Sequence, residues 1–249
     1  MFSIPFLDKL REAELEAALP QLKPGARLLE FGAGTGIQAK RLSERGFDVV
    51  AIDLASSGYA DARLFPVIDY DGRNIPLETA SIDVIFSSNV LEHVEDFSRI
   101  ASEFRRITRP GGYGVHLMPS VGWRAWTLAS GFPNAVVATA SAIKQAIAPP
   151  PGRSRADAVA ADIKTAAVGV LPLGHGTAHE AFSELYSFSA NAWRRRFAEN
   201  GFVVERVMPI GIFHTGHQLL GSTMSIASRK ALSRFLGSAA NLFVVRAAS

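Results

Sequence analysis

The sequence predicts an α/β fold: a doubly wound, mostly parallel sheet with helices on both faces and an inserted, largely helical cap. Three observations predict it. Short apolar runs alternate with stretches of helical periodicity over residues 27–118, the rhythm of βαβ units. The first run ends in a glycine-rich turn that opens a helix, and the second ends at an acid, Asp53. The rhythm stops at Pro119 and resumes near Ser189, so residues 120–188 read as an insertion.

Taken in order, residues 5–19 place Phe6, Leu10, Ala13 and Ala17 at helical spacing, and Pro20 with Pro24-Gly25 ends that helix. Residues 27–31 form a first strand, and residues 37–45 a helix stopped by Gly46. Residues 48–53, 64–68 and 82–87 supply the next three strands. Residues 96–108 carry Phe97, Ile100, Ala101, Phe104 and Ile107 on one helical face, and Pro110-Gly111-Gly112 leads into a fifth strand at 113–118. After the insertion, Ser189 caps a helix over 191–200, with Gly201 at its end. Strands at 202–209 and 241–246 bring the total to seven, with a helix over 219–236 between them.

The 249 residues, 48% hydrophobic, suffice for one core plus a cap and exclude a disordered chain. The chain has no Cys, which excludes disulfides and thiolate metal sites. Acids at Asp8, Glu12, Glu14 and Glu16 interrupt the N-terminus, so no secretory leader is expected and the reading is cytoplasmic. Residues 128–143 are uncharged but too short for the ~20 residues of a spanning helix. A cap helix is the plain reading; Trp123 and Trp126 would suit peripheral contact with a membrane. The net charge of +3 hides an asymmetry. Residues 1–110 hold 13 Lys and Arg against 17 Asp and Glu, while residues 111–249 hold 13 against 6. A basic second half suits an anionic acceptor or a membrane surface, or simply solvates helices. There is no internal repeat, and no pattern specifies an oligomer.

Leu28-Leu29-Glu30-Phe31-Gly32-Ala33-Gly34-Thr35-Gly36 is a strand, a tight turn and a helix start. Glycines there let the chain turn sharply and let a ligand approach the backbone. Asp53, at the end of the second strand, suits the two hydroxyls of a ribose. The pattern is GxGxG, with Ile37 where a dinucleotide fold wants a third glycine. Glu30 would repel a pyrophosphate but welcome an ammonium. Together these favour a nucleoside carrying an amino acid over one carrying phosphates.

In these residues the chain resembles the class I S-adenosylmethionine-dependent methyltransferases, of the type 11 kind. Asp71-Gly72-Arg73-Asn74-Ile75-Pro76-Leu77 is similar to the family's adenine-side loop. Ser81-Ile82-Asp83-Val84-Ile85, Ser87-Ser88-Asn89-Val90-Leu91-Glu92-His93-Val94 and Arg109-Pro110-Gly111-Gly112 are similar to its fourth strand, the segment after it and the turn before strand five. The resemblance covers residues 26–118 and implies a Rossmann-like, seven-stranded fold in one methyltransferase domain over residues 1–249. It implies S-adenosyl-L-methionine as cofactor, leaving S-adenosyl-L-homocysteine. Gly32, Gly34 and Gly36 would lie against it, Glu30 near its amino group, and Asp53 on the ribose. Asp71, with Gly72 beside it, would take the adenine, Asp69 being the neighbouring alternative; Asn89 would run along the methionine side.

Methyl transfer needs positioning more than acid–base help, so a base matters only for a protonated acceptor. His93 follows strand four, and His175 and His179 lie in a Gly/His-rich part of the cap; these three are the candidate catalytic residues. His214 and His217 are further pocket candidates. Glu92 with His93, or the cap histidines with Glu180, carry metal-ligating chemistry, but no metal is expected. The expected reaction is methylation, at oxygen, of a small-molecule, lipid or glycan acceptor, with the cap at 120–188 forming the acceptor side. The alternative is an accessory protein of the same fold that binds cofactor without turnover. Nothing in the chain resembles a nucleic-acid recognition motif, so no nucleic-acid partner is expected.

Overall fold

The computed structural model describes residues 4–147, 154–170, 175, 182–216 and 223–248. In chain order the elements are α1 (Ile4–Ala18), β1 (Arg27–Phe31), α2 (Ile37–Glu44), β2 (Asp48–Leu54), β3 (Val67–Tyr70), β4 (Ile82–Ser88), α3 (Phe97–Ile107) and β5 (Thr108–Pro119). Then follow α4 (Val121–Ile147), α5 (Arg155–Val170), α6 (Ser183–Ser187), α7 (Ala190–Glu199), β6 (Phe202–Pro209), α8 (Ile226–Leu236) and β7 (Ala240–Ala247). The strands form one sheet in the order β3-β2-β1-β4-β5-β7-β6. Only the pairings of β7 with β5 and β6 are antiparallel. The expected α/β, seven-stranded, mostly parallel sheet is what the chain forms.

Alternation along the strands builds a core on each face of the sheet. Leu28, Val84, Phe86, Val115, Leu117, Leu242 and Val244 point to one face, against Phe6, Leu10 and Leu15 of α1. Their neighbours Leu29, Ile85, Met118, Phe243 and Val245 point to the other, against Phe97, Ile100, Phe104 and Ile107 of α3 and Trp193 and Phe197 of α7. The caps follow the local chemistry. Ser189 accepts from the Ala192 N–H at 3.1 Å at the start of α7, as its position predicts. Asp96 does the same for Arg99 in α3 at 2.9 Å.

Four details differ from the sequence reading. The third strand is Val67–Tyr70, not 64–68, because residues 64 and 65 wrap the glycine turn instead: the Leu64 N–H donates to the Thr35 carbonyl at 2.7 Å. The fifth strand starts earlier, at Thr108, and absorbs the Pro-Gly-Gly turn as a register shift against β4. Pro133 lies inside α4 without ending it, so that helix reaches 27 residues. The last helix is described from Ile226, capped by Ser225; residues 219–222 of the expected span lie outside the described residues.

Between β5 and α7 the described chain is helical, with α4 and α5 packed along each other. Of the two tryptophans of α4, one is buried and the other exposed. Trp123 is buried against Phe188, and the Trp126 indole donates to the Leu236 carbonyl at 2.8 Å. The exposed apolar side chains of α4 are Trp126, at 37%, with Phe132, Val136, Val137, Ile143 and Ile147. Among the described residues no helix is long and apolar enough to cross a membrane.

Candidate active site

Parallel strands β1, β2 and β4 end on one edge of the sheet, where α/β folds open a crevice. The β1–α2 turn sits at its centre. Gly32, Gly34 and Gly36 all have positive φ, between 56° and 76°. Two of them are also sterically required. A Cβ on Gly32 would lie 2.5 Å from Val90, and one on Gly36 2.8 Å from the Phe65 Cβ. The N–H groups of Gly32 and Ala33 donate to the Ile52 carbonyl at 2.9 and 3.0 Å, fastening the turn to β2.

Two acids flank the turn. Asp53 accepts from the Gly34 N–H at 3.0 Å through Oδ2 and from the Leu54 N–H at 2.8 Å through Oδ1. Each oxygen keeps a free lone pair, enough for two further donors. Glu30 is 3% exposed, and its Oε2 has no hydrogen-bond partner among the described residues. Burial pushes its pKa up to about 8, with Asp53 adding to the push and the Ala39 N–H and Arg11 opposing it. A buried carboxyl oxygen without a partner is costly unless a ligand completes it.

Asp71 lies in the loop after β3 and closes an Asx-type turn. It accepts from the Arg73 and Asn74 N–H groups at 2.8 and 2.7 Å and from the Asn74 side chain at 2.8 Å. Those three bonds hold its carboxyl down at about 2 and leave one acceptor position. Gly72 takes φ +78° beside Leu54. The alternative acid, Asp69, lies opposite Asp53 in the β2–β3 register and is held by Arg63 at 2.5 Å. Asn89, at the end of β4, adopts φ 55°, unusual for a non-glycine residue and tolerated by Asn. Its amide donates to Ser88 Oγ at 3.2 Å and Glu14 Oε2 at 3.5 Å.

The same edge collects a polar cluster. Leu91–His93 is a single 3₁₀ turn after β4, and it buries Glu92 while leaving the His93 side chain half exposed. His175 comes from the distant insertion, yet its ring lies 5.0 Å from that of His93 and 4.8 Å from that of Trp123. Its backbone N–H donates to Glu184 Oε1, while Arg124 Nε lies 2.9 Å from Glu184 Oε2. Both imidazoles are held neutral. Burial lowers the pKa of His93 against the pull of Glu184. Burial, then His93, Arg124 and Arg11, take His175 down to about 4. His179, with Glu180 and His217, lies outside the described residues.

Several members of this cluster escaped the sequence reading. Glu14 of α1 is 1% exposed and sits between Arg11 at 2.6 Å and His214 at 3.7 Å. Burial pushes its pKa up, but Arg11 and His214 outweigh that and hold it at about 2. The signal was present: Glu14 follows Leu10 by four positions, an acid on the apolar stripe of an amphipathic helix. Arg124 and Glu184, both under 4% exposed, had no comparable signal, since only the folded insertion pairs them. A further buried histidine, His116, stacks between Phe104 and Phe197 and meets Ser87 Oγ at 2.8 Å. Burial takes it to about 3, so it is a neutral core residue remote from this chemistry.

Comparison with known proteins bears on the same segment. Residues 29–115 match the family model described as a methyltransferase domain. An uncharacterized methyltransferase of Mycobacterium sp. (strain JLS) is 35% identical over 108 residues, 41% of this chain and 43% of that protein. The malonyl-[acyl-carrier protein] O-methyltransferase of Serratia marcescens is 38% identical over 93 residues, 36% of each. The chain thus spans less than half the length of these curated relatives. The crystal structure of an S-adenosylmethionine dependent methyltransferase from Mesorhizobium loti superposes with a TM-score of 0.53 at 20% identity, over 94% of this chain and 96% of that one. Residues 29–115 thus match a methyltransferase domain, and the chain as a whole has the fold of the Mesorhizobium loti structure.

Proposed function

We propose that this protein is an S-adenosyl-L-methionine-dependent methyltransferase whose acceptor is a small molecule, lipid or glycan, methylated on oxygen. One observation carries the cofactor half of the reading. Glu30 keeps a buried oxygen without a partner directly below the glycine turn, and Asp53 keeps two lone pairs beside it. That is a receptor for an ammonium and a ribose, not for a pyrophosphate. Asp71 and Gly72 then shape the adenine end, and Asn89 the methionine side. When bound, the cofactor's sulfonium supplies a methyl group on a good leaving group.

The chain's own work is to orient and to exclude water. Residues 1–249 act as one domain, with residues 120–188 closing the acceptor side. Trp123 and His175 from that segment, with His93 from the β4 edge, would wall the acceptor. Either neutral imidazole would take the proton of an acceptor hydroxyl as its oxygen forms the new C–O bond. The exposed apolar face of α4 supports peripheral contact with a membrane, where a lipid-linked acceptor would be met.

Two measurements test the reading. Calorimetry with S-adenosyl-L-homocysteine and with NAD should show binding of the first alone; stabilisation by NAD alone refutes it. A labelled methyl donor offered with acceptor panels should then give transfer. Cofactor binding without transfer to any acceptor favours an accessory protein. Mass spectrometry of metabolites and surface glycans from a deletion strain would identify the species lacking one methyl increment.

A further inference from the structure

We infer that Glu92, His93 and His175 form a binding site for a divalent transition-metal ion of the zinc class, at the acceptor side of the cofactor crevice. One ligand atom from each of the three lies within 4.8 Å of the others. Glu92 Oε1 is 3.8 Å from His93 Nε2, and the two imidazole rings stand edge to face at 65°. A tetrahedral ion with bonds of ~2.1 Å sets its ligands ~3.4 Å apart, so the side chains must close by about an ångström. Half-exposed imidazoles can make that adjustment by rotating.

A second, independent observation points to a cation. Glu92 is 3% exposed, and neither of its carboxylate oxygens has a hydrogen-bond partner among the described residues. The neighbouring charges are already matched. Arg11 lies on Glu14 at 2.6 Å and Arg124 on Glu184 at 2.9 Å. Each pair is close to neutral, and the ionisable side chain that faces Glu92 within 4 Å is His93, itself one of the proposed ligands. A buried carboxyl with no hydrogen-bond partner is costly, and a metal ion removes the cost by direct coordination.

The surroundings also hold the ligands in place. Glu92 and His93 share a 3₁₀ turn fixed by the His93 N–H to the Val90 carbonyl at 2.9 Å. The backbone of His175 is fastened to Glu184, which Arg124 fixes in turn. Such outer partners orient ligands in metal sites. Two imidazoles and one carboxylate suit zinc, cobalt, nickel or iron rather than magnesium or calcium, which prefer all-oxygen sets.

Three protein ligands leave a position open toward the half-exposed His93 side. Resting on the proposed transferase reading, that position would take the acceptor hydroxyl and lower its pKa. The hydroxyl proton passes to water, the oxygen pair forms the bond to the methyl carbon, and the carbon–sulfur pair stays on sulfur. His93 and His175 would then act as ligands and not as the base.

The test uses the full chain, without an affinity tag, dialysed against zinc alone and titrated by calorimetry. One zinc per chain is expected, with magnesium at least about tenfold weaker. Glu92→Gln, His93→Ala and His175→Ala should each weaken zinc by about tenfold or more, with S-adenosyl-L-homocysteine binding kept within about twofold as a check on folding. Cobalt(II) gives a second readout: its visible absorption with wild type should be lost in His175→Ala. Zinc affinity unchanged in the three variants, magnesium bound as tightly, or no zinc at about 100 μM overturns the site. Zinc binding without S-adenosyl-L-homocysteine binding by wild type would instead overturn the cofactor reading and leave the metal site standing.

Discussion

The raised pKa of Glu30 makes cofactor binding a proton-linked event. The perturbation is pH between 6 and 7.5, in the parent and in Glu30→Gln. With the carboxyl at about 8 in the free protein, it is mostly protonated at neutral pH. An ammonium placed on it favours the carboxylate, so binding expels a proton. The ionised fraction is about one in a hundred at pH 6 and about one in eleven at pH 7. Affinity for S-adenosyl-L-homocysteine should therefore rise ~9-fold over that unit, or ~1.3 kcal/mol, and level off above pH 8. The other charges facing this carboxyl are Asp53, which adds to the push, and Arg11, which opposes it. Calorimetry in two buffers of different ionisation enthalpy reads the proton directly; about 0.9 should leave per ligand at pH 7. In Glu30→Gln both the slope and the proton should vanish. A flat affinity profile in the parent, or the same slope in the variant, refutes the assignment of Glu30 to the amino group.

Three further outcomes follow from the geometry. Asp53→Ala removes two charge-assisted acceptors, so it should weaken S-adenosyl-L-homocysteine by ~1.5–3 kcal/mol per ribose bond, and unchanged affinity would remove Asp53 from the ribose. Gly32→Ala adds a Cβ 2.5 Å from Val90 at φ +76°; it should cost ~1–2 kcal/mol for the backbone alone, read as a lower urea midpoint, and an unshifted midpoint refutes the packing argument. Arg124→Met leaves Glu184 buried without its cation and should cost ~3–5 kcal/mol, most of it regained by adding Glu184→Leu; a double variant no better than the single one means that the pair is not what the loss reports.

Most of the sheet was legible because each strand carries its own signal. Residues 202–209 read as a strand, and β6 is Phe202–Pro209. The glycine turn was equally legible, since its conformation and packing are local demands on a few residues. Errors arose where a tertiary contact overrode the local pattern. Leu64 and Phe65 look like strand residues but are drawn onto the Gly-rich turn. Asp71 was legible as a loop acid, and its own loop takes three of its acceptor positions and leaves one for a ligand. The acceptor side was the least legible. Glu14, Glu92, Arg124, His175 and Glu184 come from five separate segments, and no spacing in the chain announces their meeting. The Glu92–His93 step, the Gly/His-rich stretch holding His175 and the misplaced acid of α1 left a mark on the sequence; Arg124 and Glu184 left none.

The charge asymmetry of the chain also takes on a different meaning. An excess of basic residues beyond residue 110 suited an anionic acceptor, yet several of them are consumed as internal ties. Arg124 lies on Glu184; Arg196 lies 4.6 Å from the Phe97 ring and donates to the Val94 carbonyl. Arg229 lies 4.7 Å from the Phe6 ring and donates to the Phe213 carbonyl; Arg246 holds Glu205 at 2.7 Å. The acids of the first half do the opposite and concentrate: Glu14, Glu30 and Glu92 are each 3% exposed or less at the crevice. Glu14 is matched by Arg11, and burial pushes Glu30 and Glu92 up to about 8, so none of the three presents a full, uncompensated negative charge at neutral pH. With the named basic side chains tied up inside the fold and these acids matched or protonated, little net charge faces the acceptor position, and a neutral hydroxyl acceptor fits it. The check is the KM of the identified acceptor against ionic strength. From about 50 to 500 mM salt the KM of a neutral acceptor should change less than about twofold. A steep rise would show that the surface arginines and lysines steer an anionic acceptor after all.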